Sequence, residues 1–185
     1  MKATGIVRRI DDLGRVVIPK EIRRTMRIRE GDPLEIFTDR EGGVILRKYS
    51  PIGEMGEFAQ EYAESIYKTL DQTALICDSD MVIAAAGSGK KEYMDRSISR
   101  DVENMMAQRT VYITGRESGN KPVAILEMES DGGAYQAQII CPILSQGEAI
   151  GAVVILNRNG NKEFGEVEAK VASTAAIFLG KQMEH

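Results

Sequence analysis

The sequence predicts two domains, a small β-rich domain over residues 1–53 and an α+β domain over residues 54–185 that has an antiparallel sheet with flanking helices. Charge separates the two. Residues 1–53 hold 12 Lys and Arg against 8 Asp and Glu, a net charge of +4, whereas the rest of the 185-residue chain carries −8. Pro51 and Gly53 interrupt the apolar pattern at the same place. Such a change of sign is typical of a chain whose basic part contacts nucleic acid or a membrane.

The first domain has the pattern of short strands around one helix. Residues 4–10 and 14–18 are strand candidates, and Pro19 suits the first position of a helix of about two turns. Residues 34–39 and 43–48 are predicted to pair as a hairpin around a Gly-containing turn. So few large apolar side chains make a poor core for one chain, and we therefore expect this domain to fold as a dimer.

The second domain begins and ends with a helix signal. Apolar residues at helical spacing run from Met55 to Leu70, and another apolar stripe runs from Phe164 to about Met183. Between them, strand signals alternate with Gly- and Asp-rich turns, and one short helix is predicted at residues 101–108. The predicted strands are residues 73–77, 81–86, 110–114, 122–128, 134–144 and 149–156. Hairpins with a helix at each end indicate an antiparallel sheet covered by helices.

The sequence also argues against several classes of function. The N-terminus has no apolar signal-peptide core, and every apolar run falls short of the roughly 20 residues that span a bilayer, so a cytoplasmic protein without membrane contact is expected. Cys77 and Cys141 lie in apolar runs, and the one histidine is His185, so neither a catalytic thiol nor a metal site is expected. The segment "AGSGKK" resembles a phosphate loop, but Ala84 stands where the first glycine is required. We expect no enzyme activity and no cofactor.

Positive charge is concentrated near the N-terminus. Residues 8–27 contain seven cations and three acids. The planar guanidinium of arginine suits phosphates and guanine edges, and a dimer would double these charges. Charge alone leaves three interpretations open: nucleic acid, an acidic protein partner, or a solvated face. The candidate DNA-binding residues are Arg8, Arg9, Arg15, Lys20, Arg23 and Arg24.

Two motifs in the first domain carry a family resemblance. They are "DDLGRVVIPKEIR" at Asp11–Arg23 and "IREGDPLEI" at Ile28–Ile36. Through them, residues 3–48 resemble the AbrB family of bacterial transition-state regulators. The resemblance implies a swapped-hairpin dimer, in which strands of two chains interleave into one small barrel, and the same fold also serves small antitoxins. It further implies DNA contacts by the arginines at Arg8, Arg15, Arg23 and Arg24.

The second domain resembles a GAF domain over residues 55–180. The likeness lies in the order of its elements and in "GAVVILNRNGNKEFGEVE" before the last helix. Cyclic-nucleotide-binding members carry Asn-Lys, a spacer, and then Phe with an acid four residues on. Asn157, Phe164 and Glu168 fit that pattern, but Arg158 replaces the lysine, which argues against a cyclic nucleotide. Two roles stay open: binding an unidentified small ligand, or a purely structural, oligomerising role.

Together these observations predict a DNA-binding transcription regulator, an activator or a repressor, whose partner is double-stranded promoter DNA. Residues 1–53 are expected to form a homodimer, and the terminal helices of the second domain are expected to join two dimers into a homotetramer. Close approach of helices across that surface is expected at Ala59, Ala63, Ala175 and Ala176. The alternative is an antitoxin-like or scaffolding protein whose basic domain binds an acidic partner. The pattern of residues 54–185 favours the regulator, because it indicates a folded core rather than a short disordered tail.

Overall fold

The computed structural model describes residues 4–114, 118–129, 135–158 and 163–184; His185, the one histidine, lies outside them. The chain divides into two compact units, Met1–Tyr49 (unit 1) and Ser50–His185 (unit 2). The domain boundary expected at residue 53 falls inside a short 3-10 helix, Ile52–Met55, which is the first element of unit 2. Each unit is described by itself.

Unit 1 contains one helix and one hairpin. Helix α1 is Lys20–Thr25, and the antiparallel strands β1, Leu34–Thr38, and β2, Val44–Lys48, pair with Ile36 opposite Leu46. Pro19 is the N-cap of α1 rather than its first residue, because its ψ of 150° lies outside the helical range. The hairpin expected from the sequence is confirmed.

The two strands predicted near the N-terminus do not form within the single chain. Residues 4–10 and 14–18 pair with no other strand in the part of the chain that the structure describes. That prediction is wrong for one chain, because a strand needs a neighbour to satisfy its N–H and C=O groups. Apolar side chains in this region are more than half exposed at Val7, Ile10, Leu13, Val16 and Val17.

Unit 2 is built on a five-stranded antiparallel sheet. Its strands are β3, Thr73–Cys77; β4, Val82–Ala86; β5, Tyr112–Ile113; β6, Ala137–Ser145; and β7, Glu148–Asn157. They lie in the order β4-β3-β7-β6-β5. The central strand β7 is apolar almost throughout because helices cover both faces of the sheet. Val153 and Ile155 point to one face, and Val154 and Leu156 point to the other.

The strand predicted at residues 122–128 is wrong. This segment forms only one bridge, between Leu126 and Ile98. Side chains take up its backbone groups instead, since the amide of Gln138 accepts from the Val123 N–H at 2.9 Å and donates to the Val123 carbonyl at 2.6 Å. A carboxylate oxygen of Glu129 accepts a hydrogen bond from the Ile125 N–H at 2.8 Å. These bonds replace a sheet ladder, so no strand is needed.

Helices cover the two faces of the sheet in pairs. Helices α2, Gly56–Leu70, and α5, Glu166–Gln182, lie on one face, and α3, Lys90–Tyr93, and α4, Arg100–Gln108, lie on the other. The sequence predicted α2, α4 and α5, but it missed α3 inside the polar "GKKEY" segment. None of the described helices has the length and apolar character needed to cross a membrane.

Small residues bring α2 and α5 close to their own sheet. Ala59, Ala63 and Ala175 are fully buried and Ala176 is almost so, all within the core between these helices and the strands. The expectation that they face another chain is therefore wrong. A Cβ on Gly180 would clash with the carbonyl oxygen of Leu144 in β6, so the C-terminal end of α5 requires glycine there.

Candidate functional site

The six candidate DNA-binding residues lie on three parts of unit 1. Lys20, Arg23 and Arg24 share one face of α1, since they are three and four residues apart. Arg15 lies in a turn, and Arg8 and Arg9 lie in the N-terminal segment. Five of the six are exposed, and Arg23 is half-buried. The structure brings the α1 cations together, whereas Arg8, Arg9 and Arg15 lie outside this helix.

Arg15 is held by a carboxylate-capped turn. Asp11 Oδ1 accepts the backbone N–H of Arg15 at 2.7 Å and that of Leu13 at 3.0 Å, and Asp11 Oδ2 accepts from Arg15 Nε at 2.8 Å. Gly14 takes the left-handed φ of +75° that this turn requires. The bonds from Arg15, backbone first and then side chain, lower the pKa of Asp11. The rest of the Arg15 guanidinium faces solvent, with 69% of its side chain exposed.

Other cations of unit 1 already have partners inside the unit. Lys48 Nζ lies 3.3 Å from Asp32 Oδ2, and the Arg47 guanidinium lies over the Phe37 ring at 5.1 Å from its centre. Arg23 differs from them, because its Nε is buried and has no acceptor among the described residues. Lys20 and Arg24 are exposed beside it on the same face of α1, so the cations of this helix are well placed to meet a phosphate or a base.

A second polar cluster lies in unit 2, at the end of β7. The Arg158 guanidinium lies over the rings of Tyr93 and Tyr135, 4.9 and 5.6 Å from their centres, and its Nη1 lies 2.7 Å from Glu92 Oε2. The hydroxyl of Tyr93 donates to that of Tyr135 at 3.2 Å, and the Tyr135 hydroxyl donates to Glu129 Oε1 at 2.6 Å. Burial raises the pKa of both tyrosines. Burial lowers the pKa of Arg158, but the hydrogen bond with Glu92 raises it, and the net direction is upward.

The residues of the GAF-like sequence motif do not lie together in the structure. Arg158 belongs to the α3/α4 face, whereas Phe164 is buried in the core on the α2/α5 face. Glu168 accepts the Gly165 N–H at 3.0 Å and so caps its own helix. The sequence singled out Arg158 but missed its partners, which come from α3 and from residues 129 and 135. No local pattern marks residues that meet only through the fold.

The two thiols lie in surroundings that do not favour catalysis. Burial raises the pKa of both Cys77 and Cys141, which disfavours the reactive thiolate. Within the described ranges, no three His, Cys, Asp or Glu side chains come together in a way that could hold a metal ion. The "GKK" cations Lys90 and Lys91 lie in α3.

Comparison with known sequences also divides the chain into two parts. Residues 54–184 match the family described as "Stage V sporulation protein T C-terminal, transcription factor", and residues 7–54 match the family described as "Antidote-toxin recognition MazE, bacterial antitoxin". The chain is 56% identical over 185 residues to "Stage V sporulation protein T" of Bacillus subtilis, covering 100% of this chain and 99% of that protein. It is also 63% identical over 51 residues to "Transition state regulatory protein AbrB" of B. subtilis, which covers 28% of this chain and 52% of AbrB.

Solved structures resemble unit 2 in fold. The GAF domain of an Acinetobacter phosphoenolpyruvate-protein phosphotransferase aligns with a TM-score of 0.57 and 14% identity, over 73% of this chain and 89% of that domain. At that identity the likeness concerns the fold alone. The GAF-like architecture expected from the sequence is confirmed.

Proposed function

The chain belongs to the stage V sporulation protein T family of transcription factors, and we propose that unit 1 binds promoter DNA as a homodimer. The family is not one of enzymes. One observation carries the proposal: the cations of α1 and the Arg15 turn are exposed or lack an acceptor, whereas Lys48 and Arg47 are engaged within the unit. Regulation of sporulation genes, as activator or repressor, and a cytoplasmic location follow from this role. The DNA-contacting residues are Arg8, Arg9, Arg15, Lys20, Arg23 and Arg24.

The apolar surface of unit 1 supports dimerisation. On the hairpin, the side chains of Ile36 and Val44 are about two-thirds exposed. Nearer the N-terminus, Val17 is about as exposed as these two, and Val7 is more exposed. A domain of this size cannot leave its large apolar residues in water and remain stable alone. Interleaving residues 4–18 of two chains would cover these side chains and supply the missing strand neighbours.

Unit 2 would join two such dimers. Phe178 of α5 stacks on Phe58 and Tyr62 of α2 at 5.7 and 5.6 Å between ring centres. The group remains partly exposed, with Phe178 at 39%, and Val167 on the same flank of α5 is 65% exposed. An exposed aromatic and aliphatic patch shared by two helices is suited to a four-helix contact with a second copy. Two dimers of unit 1 that are held together in this way would bind neighbouring DNA sites with avidity.

A sensory role is proposed for unit 2 alongside assembly. A small ligand that binds one arrangement of the assembled chains more tightly would shift the population toward that arrangement, and so change the relative positions of the two unit 1 dimers. The order of elements and the sheet covered on both faces are those of the GAF fold.

The test of DNA binding is the double substitution Arg23→Ala with Arg24→Ala. A duplex enriched by selection on the unaltered protein serves as the probe, and fluorescence anisotropy over a range of salt concentrations is the measurement. Each arginine that contacts a base should contribute about 1–3 kcal/mol to the free energy of binding. Each lost phosphate contact should reduce, by about 1, the slope of the logarithm of the binding constant against the logarithm of salt concentration. Arg96→Ala removes an exposed arginine from unit 2 and should change neither quantity. Unaltered affinity in the double variant would refute the assignment.

The antitoxin-like role is the second candidate, because residues 7–54 match the MazE description. It predicts binding of an acidic protein through the same cations. Under that alternative, duplex DNA would bind weakly and without sequence preference, and Arg23→Ala would not alter the preference. The same titration, run with the selected and a scrambled duplex, separates the two roles.

A further inference from the structure

A cavity of about 320 Å³ lies between β6 and α5 in unit 2. Pro142 and Leu144 of β6 form one wall, and Ser173 and Ile177 of α5 form the other. Val111, ahead of β5, lies at its edge. The volume is at the small end of the range of about 300–1,000 Å³ for ligand pockets. At about 30 Å³ for each water-sized group, it holds on the order of ten non-hydrogen atoms.

The cavity is apolar inside and cationic at its rim. Ile177 is 61% exposed and Val111 is 41% exposed, so apolar surface there lies open to solvent. Arg109 and Lys181 line the same cavity, against one acid, Glu184. Two cations and one acid give the lining a net charge of +1.

The two cations are held differently. Arg109 ends α4 with a left-handed φ of +57°, and its Nη2 lies 2.9 Å from Glu148 Oε2 in an exposed pair. Lys181 makes no ion pair with any residue that the structure describes, whereas Glu184 accepts the Gln146 N–H at 3.3 Å. Lys181 is thus the cation that remains available to an incoming anion.

The wall of the cavity is fixed by close packing. Gly180 lies against the Leu144 carbonyl so closely that no side chain fits there, which anchors the last turns of α5 on β6. Cys141 Sγ lies 3.9 Å from Ser173 Oγ within the lining, and only 4% of Cys141 is exposed. A rigid apolar cavity with a charged rim is the arrangement expected of a ligand site.

From this geometry we propose that the cavity binds a small amphipathic monoanion, such as a medium-chain carboxylate. Its hydrocarbon part would lie against Val111, Leu144 and Ile177, and its carboxylate would pair with Lys181, with Arg109 as a second donor. A neutral molecule of the same shape would lose the charge-assisted hydrogen bond. A cationic one would be repelled by the same rim.

Helix α5 would connect such a ligand to the assembly. Ser173 and Ile177 occupy one flank of α5, four residues apart, and line the cavity together with Glu184 just beyond the helix. Val167 and Phe178 occupy the flank proposed for tetramer contact, eleven residues apart. A ligand that shifts α5 would change the contact surface on its other side. This consequence rests on the proposed function, but ligand binding itself does not.

The cavity contains its own reporter group. Cys141 lies in the lining, whereas Cys77 is fully buried in the sheet and serves as the internal reference. Alkylation of the full-length protein by N-ethylmaleimide, followed by peptide mass spectrometry, gives a separate rate for each thiol. Octanoate, with ten non-hydrogen atoms, is the probe. Octanamide is its neutral match.

Octanoate at ten times its dissociation constant should slow Cys141 alkylation about tenfold and leave Cys77 unchanged. Octanamide should have a dissociation constant at least about tenfold higher than that of octanoate, because it lacks the charge. Lys181→Gln should remove most of that preference. Lys170→Gln makes the same change on the same helix about 16 Å away, and it should leave the preference intact. A circular dichroism spectrum that matches the spectrum of the unaltered protein shows that each variant folds.

Three results would overturn the proposal. Equal protection by octanoate and octanamide would rule out the anion site. A preference that survives Lys181→Gln would place any anion elsewhere. Protection that rises with protein concentration and not with octanoate would assign the cavity to contact between copies. None of these measurements involves DNA, so failure here leaves the DNA-binding proposal standing, and loss of DNA binding leaves the cavity standing.

Discussion

The guanidinium carbon of Arg158 lies 4.9 Å from the centre of the Tyr93 ring, and that ring is fully buried in the core on the α3/α4 face of unit 2. The pair joins the end of β7 to α3, two elements that are far apart in the sequence. A cation over an aromatic face contributes about 0.5–2 kcal/mol, and more when water is excluded. The short helix α3 is thus tied to the sheet by a contact that its own length could not supply.

Replacement of the Arg158 guanidinium should destabilise unit 2. Arg158→Gln removes the stacking on two tyrosines and the bond to Glu92, and it should lower the free energy of unfolding by about 1–2 kcal/mol. Urea denaturation followed by near-UV circular dichroism reports the buried tyrosines directly. Glu92→Gln breaks only an exposed ion pair and should cost about 0–1 kcal/mol. Equal losses in the two variants would contradict the importance of stacking.

The carboxylate of Asp11 should support DNA binding although its charge opposes it. Asp11→Ala deletes the acceptor for two backbone N–H groups and frees Arg15, so DNA affinity should fall several-fold, on the order of 1 kcal/mol. Anisotropy with the selected duplex measures it. Asp12→Ala, next in the chain, removes the same charge without these bonds. It should leave affinity unchanged or raise it slightly, and tighter binding by Asp11→Ala would disprove the role of the turn.

The turn should also persist at low pH. Its bonds lower the pKa of Asp11, so the stabilisation is complete above the ordinary aspartate pKa of about 3.9 and disappears as the pH falls through the lower folded value. A carbon-detected NMR titration should therefore give Asp11 a midpoint below the ordinary aspartate value of about 3.9. A midpoint at or above the ordinary value would show that the turn does not form in solution.

Gly180 should tolerate no side chain. Gly180→Ala places a methyl group against the Leu144 carbonyl, so α5 must move away from β6, and a loss of about 1–3 kcal/mol is expected from overpacking. Gly56→Ala is the matched control. It begins α2, where a Cβ meets no atom within 4 Å, and it should stabilise the protein by about 0.5–1 kcal/mol. Thermal unfolding measures both, and opposite signs are the expected result.

An acidic residue on the Phe178 flank of α5 should separate the proposed tetramer into dimers. Val167→Asp puts a charge in the first turn of the helix, where the dipole favours it, so the fold is retained while the apolar contact is lost. Sedimentation should show a change from tetramer to dimer at micromolar concentration. Ile177→Asp introduces the same group on the cavity flank and should leave the mass unchanged. A dimeric unaltered protein, or an unchanged mass for Val167→Asp, would refute the surface.

Local patterns in the sequence determined most of unit 2 and the nature of unit 1. The apolar runs of β6 and β7 and the helical spacing in α2 and α5 are properties of neighbouring residues, so they could be predicted directly. The charge of residues 8–27 left three classes of partner open, and the family resemblance carried by the two motifs of unit 1 pointed to DNA. The strand expected at residues 122–128 does not form because two side chains supply its hydrogen bonds, that of Gln138 from strand β6 and that of Glu129 directly after the segment.

Tertiary structure alone decided which faces are buried and which groups meet. Ala59 and Ala63 look the same in the sequence whether they face another chain or their own sheet, and only the packing of α2 on the sheet shows that they are internal. The aromatic cluster around Arg158 joins residues from three separate parts of the chain. The cavity between β6 and α5 is lined by residues that are far apart in the sequence and meet only through the packing of the helix on the strand. Contacts between distant residues depend on how whole elements pack, and local periodicity carries no information about that.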